Sequence, residues 1–252
     1  MLERLGFGEV EYFPDVTFTL AAIMVAVFLF TRADIVYYEN LFGFVPSHPQ
    51  IYAFITYVFI HVDFTHIFFN VLFLIIAGMT IEKTLGRWTL LAVFFSSGFI
   101  AVIFDILGRV ISGISFSAPF VGASGGIFGL VAVATLIKPM EKIPTILAVL
   151  ALLPIGQWAI ASSSVFNFST STQIVIDGLV AMAALSLLLF IPANVPFFVT
   201  LVLFLFSWMI IILLRLPSTV SNVGHLGGVV GALISFFIFG KKKSDSWRTG
   251  RV

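Results

Sequence analysis

The chain has 252 residues, of which 60% are hydrophobic and 10% are charged, and its formal net charge is +1. Since a soluble domain is nearer about 45–50% apolar and about 25% charged, the composition excludes an ordinary soluble domain and predicts a protein that crosses a lipid bilayer several times. Scattered basic residues argue against nucleic acid as a partner, and the absence of cysteine excludes disulfides, cysteine metal sites and a thiol nucleophile.

The predicted fold class is all-α, a polytopic transmembrane helix bundle that forms a single integral membrane domain over residues 1–252. Residues 1–15 are predicted to be a short cytoplasmic N-terminus, and residues 241–252 a basic cytoplasmic tail. No small-residue cleavage pattern follows the first apolar run, so this run is expected to be a retained signal anchor. The apolar runs predict about eight spans, at residues 16–31, 62–81, 88–107, 123–137, 143–161, 173–191, 195–216 and 220–240.

The segments between the spans carry most of the charged residues. Residues 32–61 mix charges with aromatic residues and prolines, which is typical of a loop that lies in the membrane interface. In the polar turn after the second span, Glu82 and Arg87 are expected to tie the turn together. Asp105 and Arg109 lie four residues apart at the end of the third span, and we expect them to form a pair.

The distribution of basic residues predicts the orientation of the chain. With the N-terminus in the cytoplasm, the inside segments hold most of the 13 Lys and Arg residues: Arg4, Lys83, Arg87, Lys138, Lys142, Lys241, Lys242, Lys243, Arg248 and Arg251. The outside segments hold only Arg32, Arg109 and Arg215. This asymmetry supports eight spans and places the starts of the fourth and eighth spans on the same external side. We therefore expect a multi-pass protein of the cell membrane with both termini in the cytoplasm.

A serine among glycines, Ser124, opens the fourth span in the string Gly122-Ala123-Ser124-Gly125-Gly126. One interpretation is helix packing, because a glycine-lined face lets a neighbouring helix approach closely. The other is a nucleophile, because small neighbours leave room for a peptide carbonyl beside the hydroxyl, and free N–H groups at a helix start can face an oxyanion. Taken alone, the string is more typical of packing.

The eighth span contains His225, the only histidine in the second half of the chain, with glycines at 224, 227 and 228. An ionisable residue within a span is a functional candidate, because burying it in a membrane is costly. One interpretation is a histidine that hydrogen-bonds between helices. The other is a general base for Ser124, which begins its span at a similar depth.

A third group of polar residues lies at the start of the second span. His66 and Asn70 are four residues apart, so they share one face of a helix. Both side chains can donate a hydrogen bond, which fits either an oxyanion hole or a contact between helices. His61 lies near the membrane boundary and is expected to order the preceding loop.

Together these elements resemble the rhomboid family of intramembrane serine proteases. The strings that carry the resemblance are His61-x4-His66-x3-Asn70, Gly122-Ala123-Ser124-Gly125 and His225-Leu226-Gly227-Gly228, with Glu82 and Gly86-Arg87 after the second span. The chain departs from the family in having Tyr52-Ala53 where Trp-Arg is usual. It also has three predicted helices between Ser124 and His225 where a six-span core has one, which implies a six-span core plus two.

The resemblance implies a role for each matching residue. Ser124 would be the nucleophile and His225 its general base, in a dyad without a carboxylate. His66, Asn70 and the Ser124 backbone N–H would stabilise the oxyanion. The supporting residues would be Gly122 in the serine string, Phe128 where the family often has a tyrosine stacked on the base, Gly228 for close packing of the base helix, and His61.

The function predicted from these residues is an intramembrane serine endopeptidase. Its partners would be the bilayer and a transmembrane protein substrate, cleaved in or near its membrane segment, and it would need no cofactor and no metal. The alternative is a rhomboid-like pseudoprotease that binds membrane clients without cleavage, although such proteins usually lack the serine or the histidine. A transporter or channel is disfavoured, because the spans show no internal repeat and contain few acidic residues.

Overall fold

The computed structural model describes residues 13–113, 115–144, 194–213 and 222–240, and these are mostly helical. The elements are α1 (Asp15–Thr31), α2 (Ile35–Phe42), α3 (Ala53–Thr56), a 3₁₀ turn (Tyr57–Phe59), α4 (Phe64–Leu85), α5 (Arg87–Ser112), α6 (Ser124–Ile137), β1 (Lys142–Pro144), β2 (Asn194–Pro196), α7 (Phe197–Leu213) and α8 (Asn222–Ser235), which continues into a π-helical turn (Phe236–Gly240). The chain divides into two compact units, one of Met1–Val133 with Gly224–Val252 and the other of Ala134–Val223.

Six of the predicted spans overlap a described helix, namely the first four, the seventh and the eighth. The fifth and sixth, with the intervening Ser/Thr loop, lie almost wholly outside the described residues, so the count of eight spans stays a prediction. Of the helices in the described ranges, α4 and α5 are long and apolar enough to cross a membrane by length and composition. Three shorter apolar helices, α1, α6 and α8, accompany them.

The all-α prediction is wrong at one point, because the second unit contains a short antiparallel pair of strands. In it, Lys142 lies opposite Pro196, Ile143 opposite Val195, and Pro144 opposite Asn194. The sequence had placed Lys142 and Asn194 in connecting segments and the other strand residues at the starts of the fifth and seventh spans. A pair of three-residue strands is too short for an alternating pattern to be visible in the sequence.

The segment before the second span is also more structured than a loop. Asp34 caps α2 by accepting a hydrogen bond from the backbone N–H of Tyr37 at 3.1 Å. The aliphatic and aromatic side chains of Val36 and Tyr37 on α2 are exposed, and the position of this segment at the membrane interface stays a prediction. A single bridge between Phe44 and Phe120 then ties this segment to the one that precedes α6.

Helix α4 runs further than the predicted second span. The prediction of a polar turn at residues 82–87 is therefore wrong. Helix α4 continues to Leu85, and the chain reverses at Gly86 alone, whose φ of 88° is in the region that favours glycine. Glu82 is therefore a helical residue, only 1% exposed. The prediction ended the membrane span before Glu82 because the residue is polar. In the structure its hydrogen-bond partners lie on another helix.

Those partners are at the start of α1. The carboxyl oxygens of Glu82 accept hydrogen bonds from the backbone N–H groups of Val16 and Thr17, at 3.0 and 2.8 Å, and from the Thr17 hydroxyl at 2.6 Å. Glu82 thus satisfies amides that the first turn of a helix leaves unpaired. Arg87, its predicted partner, instead makes an exposed ion pair with Asp15 at 3.5 Å.

Helix α5 is the common neighbour of α6 and α8 and thereby fixes where these two helices lie. A Cβ atom at Gly126 of α6 would come within 2.7 Å of the Phe94 carbonyl oxygen of α5. A Cβ atom at Gly231 of α8 would come within 2.9 Å of the Ser97 Cα, also of α5. Because only glycine allows such close approach of backbones, the glycines place α6 and α8 side by side on α5.

Candidate active site

The backbone just before Ser124 adopts a conformation that requires glycine. Gly122 has a φ of +107°, and its N–H donates a hydrogen bond to the Tyr57 carbonyl oxygen at 2.9 Å. A Cβ atom at Gly122 would lie 2.5 Å from Nε2 of His66, so a larger residue would collide with that ring. The serine segment and the start of α4 are therefore in direct contact through Gly122 and His66.

Ser124 is the first residue of α6, so its hydroxyl lies beside the unpaired backbone N–H groups of the helix start. The N–H groups in the first turn of a helix have no partner within that helix, and the positive end of the helix dipole lies there. The Ser124 hydroxyl is thus carried at the edge of an anion-favouring site. Ala123 beside it is fully buried, which holds the backbone in place.

His225 lies against this serine. Its Nε2 atom is 2.6 Å from Oγ of Ser124, and the histidine side chain is buried, with 5% exposure. In the tautomer that carries its proton on Nδ1, Nε2 accepts the hydroxyl proton, which is the geometry that general-base activation requires. The structure therefore brings together the two residues that the sequence singled out from separate spans.

The contact depends on a close approach of α6 and α8. A Cβ atom added at Gly228, one turn after His225, would overlap the carbonyl oxygen of Gly125. The two backbones consequently touch directly below the serine and the histidine. Any side chain at this position would separate the helices and lengthen the distance between Ser124 and His225.

Phe128 lies one turn after Ser124 and contacts the histidine ring. The two ring centroids are 4.7 Å apart, with an interplanar angle of 44°. Phe128 itself is 8% exposed. Its ring therefore restricts the orientation of the His225 imidazole by packing, and phenylalanine has no hydroxyl with which to hydrogen-bond.

His66 and Asn70 occupy one face of α4, as their spacing indicated. The Asn70 amide donates to the His66 carbonyl oxygen at 2.8 Å, and Asn70 is 6% exposed. Asp63 caps the helix by accepting the His66 N–H at 2.7 Å, so it fixes the turn that carries the histidine. An aspartate directly before an apolar run is an N-cap signal that could have identified this role.

His61 reaches both the preceding loop and the serine segment. It is fully buried, its Nδ1 lies 3.2 Å from the Phe59 carbonyl oxygen, and its Nε2 lies 3.5 Å from the Ala123 backbone nitrogen. Burial, together with the nearby His66, lowers the pKa of His61 to about 3. A neutral ring with its proton on Nδ1 satisfies both contacts, because Nδ1 donates and Nε2 accepts. The contact with Ala123 had no signal in the sequence.

Tyr57 is a supporting residue that sequence reasoning missed. It is fully buried, its carbonyl oxygen accepts the Gly122 N–H, and its hydroxyl donates to the Gly98 carbonyl oxygen at 2.8 Å. Burial, with a smaller contribution from Asp105, raises the pKa of Tyr57, so the hydroxyl remains a donor. Its ring also packs on Phe120, with centroids 5.1 Å apart. Tyr57 therefore joins α5 to the serine segment.

The site thus consists of a buried histidine hydrogen-bonded to a serine at a helix start, within an apolar and mostly helical protein. The rhomboid domain matches residues 48–178, more than half of the chain, and the chain belongs to the rhomboid family. The predicted resemblance is thereby confirmed, and the protein is an integral membrane protein of a family with intramembrane protease activity. The match includes Ser124, while His225 lies beyond it. No curated protein matches the chain significantly.

Proposed function

We propose that the protein is an intramembrane serine endopeptidase that cleaves peptide bonds in or near transmembrane segments of membrane-protein substrates. The observation that carries the proposal is the 2.6 Å separation of His225 Nε2 from Ser124 Oγ. A histidine base within hydrogen-bond reach of a hydroxyl is the arrangement that makes a serine nucleophilic. In the described ranges, no group of three or more His, Asp or Glu residues is arranged to hold a metal ion.

The reaction proceeds in two halves on this pair. Ser124 Oγ attacks the carbonyl carbon of the scissile peptide bond while His225 takes the hydroxyl proton, giving a tetrahedral intermediate. This intermediate collapses to an acyl-enzyme as His225 returns the proton to the leaving amine. Water then attacks the ester, with His225 again as the base, and releases the carboxylate product and free Ser124.

The negative charge on the carbonyl oxygen of the intermediate requires hydrogen-bond donors directed at that oxygen. The proposed donors are the Ser124 N–H at the start of α6, the His66 ring beside Gly122, and the Asn70 amide. Asn70 uses one amide hydrogen on the His66 carbonyl, and its second amide hydrogen would turn toward the oxyanion. His61, Phe128, Gly122 and Gly228 support the pair by the contacts described above.

The orientation of the protein is part of the proposal. Basic residues predict cytoplasmic termini, so the dyad would be reached by water from the external side of the cell membrane. The substrate segment would approach laterally from lipid and unwind locally, since a hydrogen-bonded helix shields its carbonyls. Residues that weaken a helix should therefore favour cleavage when they lie at the scissile bond.

Labelling with a fluorophosphonate probe tests the proposal, because the probe reacts with an activated serine. The purified protein is expected to label, and Ser124→Ala and His225→Ala are expected to lose labelling. Ser47→Ala, which changes an exposed serine whose hydroxyl contacts the neighbouring His48 ring, should label like the wild type. A wild type that does not label, or a Ser124→Ala variant that labels equally, would show that the protease proposal is wrong.

The second candidate is a pseudoprotease that binds membrane clients without cleaving them. It shares the family, the fold and the apolar surface with a protease, and it would lack reaction with the probe. The dyad geometry is the observation that favours the enzyme over this alternative. Absence of labelling in a folded wild type would favour the pseudoprotease.

Asn70→Ala is expected to lower turnover by about 10- to 1,000-fold, as the loss of one oxyanion donor does, while the fold stays intact. Steady-state cleavage of a membrane-protein substrate in detergent, alongside thermal unfolding, measures both effects. The matched control is Asn40→Ala, because the exposed Asn40 donates to the Val36 carbonyl at 2.8 Å in the same four-residue spacing. Equal turnover in the two variants would remove Asn70 from the site.

A further inference from the structure

We propose that Arg109 is a positioning residue that holds the segment leading to Ser124, and so sets the geometry of the dyad from the end of α5. This inference rests on the proposed function for its catalytic consequence. Its structural part stands on a buried ion pair and on backbone contacts that lie outside the dyad. In the sequence, Arg109 and Asp105 indicated only a local pair.

That pair is confirmed, and it is buried. Arg109 Nε donates to Asp105 Oδ2 at 2.6 Å, and the two side chains are 8% and 6% exposed. Burying two charges is costly unless they are paired and their remaining polar groups are satisfied. The exposed pair of Arg87 with Asp15 differs in every respect, with a separation of 3.5 Å and both side chains more than half exposed.

The remaining donors of Arg109 reach the segment between α5 and α6. Nη1 donates to the carbonyl oxygen of Ser115 at 2.7 Å and to that of Ala118 at 2.9 Å. A guanidinium is planar, and its donors lie in a fixed fork, so one edge held by Asp105 determines where the other edge points. The ion pair therefore fixes Arg109, and Arg109 fixes two carbonyls of the segment.

The rest of the segment is held on its other side by the loop before α4. The Ser47 N–H donates to the Phe116 carbonyl oxygen at 3.0 Å. Phe120 exchanges two backbone hydrogen bonds with Phe44, at 2.9 and 2.8 Å, and Gly122 follows with its bond to Tyr57. Hydrogen bonds thus hold the backbone at several points between Ser115 and Gly122, and only Ala123 separates this segment from Ser124. A displacement at Arg109 would therefore move the nucleophile.

The experiment compares variants that separate charge from geometry. Arg109→Lys keeps the charge but lacks the fork that serves Asp105 and two carbonyls together. Arg109→Gln combined with Asp105→Asn removes both charges, so that no unpaired charge is buried. Arg87→Gln is the matched control, since it removes an exposed arginine from the start of the same helix.

Two measurements are made on each full-length variant in detergent. Hydrogen exchange at residues 115–123 reports the segment directly and requires no activity. The concentration dependence of fluorophosphonate labelling separates the maximal rate of inactivation from the apparent affinity for the probe. The first quantity depends on dyad geometry, and the second reports binding of the probe.

We expect faster exchange at residues 115–123 in both Arg109 variants, with exchange in α1 unchanged. The maximal labelling rate per folded molecule should fall by about 10- to 100-fold, as small displacements of reacting groups do, while the apparent affinity changes less than about twofold. Arg87→Gln should match the wild type in both measurements. The lysine variant should retain more activity than the neutral double variant.

Unchanged exchange at residues 115–123 in a folded Arg109→Lys protein would overturn the proposal. It would be overturned as well if the labelling rate per folded molecule stayed at the wild-type level. A wild type that does not label would contradict the proposed function instead, and the exchange measurement would still decide whether Arg109 holds the segment. If the double variant does not fold, the lysine variant carries both measurements.

Discussion

Gly228→Ala is expected to lower turnover by about 100-fold or more, because a displacement of about 1 Å in a reacting group can cost that much. The added methyl group would overlap the carbonyl oxygen of Gly125, which is backbone and cannot rotate away. Helix α8 must therefore move from α6, and with it His225 from Ser124. The 2.6 Å contact between Nε2 and Oγ does not survive such a shift as a hydrogen bond.

The measurement is the rate of fluorophosphonate labelling together with thermal unfolding in the same detergent. Overpacking of this kind destabilises by about 1–3 kcal/mol, so a folded but slow enzyme is the expected outcome. Ile234→Ala on the same helix is the control, since Ile234 is half exposed and its truncation leaves the α6 contact intact. Labelling of Gly228→Ala at the wild-type rate would show that the close contact of α6 and α8 is not required.

Glu82→Ala is expected to produce the largest loss of stability among single substitutions away from the dyad, at least about 3 kcal/mol. The change removes the acceptor for the backbone N–H groups of Val16 and Thr17 and for the Thr17 hydroxyl. These donors lie in a part-buried or buried environment, where an unpaired donor is costly. Glu82→Gln should lie between the wild type and the alanine variant, because it keeps one acceptor oxygen.

Thermal or denaturant unfolding in micelles measures this loss, and hydrogen exchange locates it at the start of α1. The control is Glu141→Ala, because Glu141 makes an exposed pair with Lys138 at 3.4 Å and should cost no more than about 0.5 kcal/mol. Equal stability of the two alanine variants would contradict the structural role assigned to Glu82. Loss of activity without loss of stability in Glu82→Ala would contradict it too.

The prediction succeeded where the signal lies within one segment. The apolar runs located α1 and α6 to within one residue at each end, whereas α4 and α5 continue to Leu85 and Ser112, beyond the predicted ends at 81 and 107. The pairing of Asp105 with Arg109 followed from their spacing. The serine and histidine strings identified the family, which the rhomboid match confirms. The catalytic roles of Ser124, His225, His66 and Asn70 remain predictions that the proposed experiments test.

The prediction failed where a polar residue takes its partner from another element. Glu82 was assigned to a turn with Arg87, yet it binds the start of α1, and α4 continues past it. Tyr57 was one aromatic residue among many in an interfacial segment, although it supports both Gly122 and Gly98. The partners of Glu82 and of Tyr57 could not be inferred from spacing, because they lie far away along the chain.

By itself, the sequence determined the class of protein and indicated the positions that are proposed to bear the chemistry. An apolar chain with few charges must satisfy its backbone within helices in a bilayer, and a serine and a histidine among glycines are visible without a fold. Only the tertiary structure decided that α6 and α8 lie side by side on α5, with the Ser124 hydroxyl against His225. The reason is that helical periodicity specifies which residues share a face, whereas close packing of backbones at glycine specifies which faces meet.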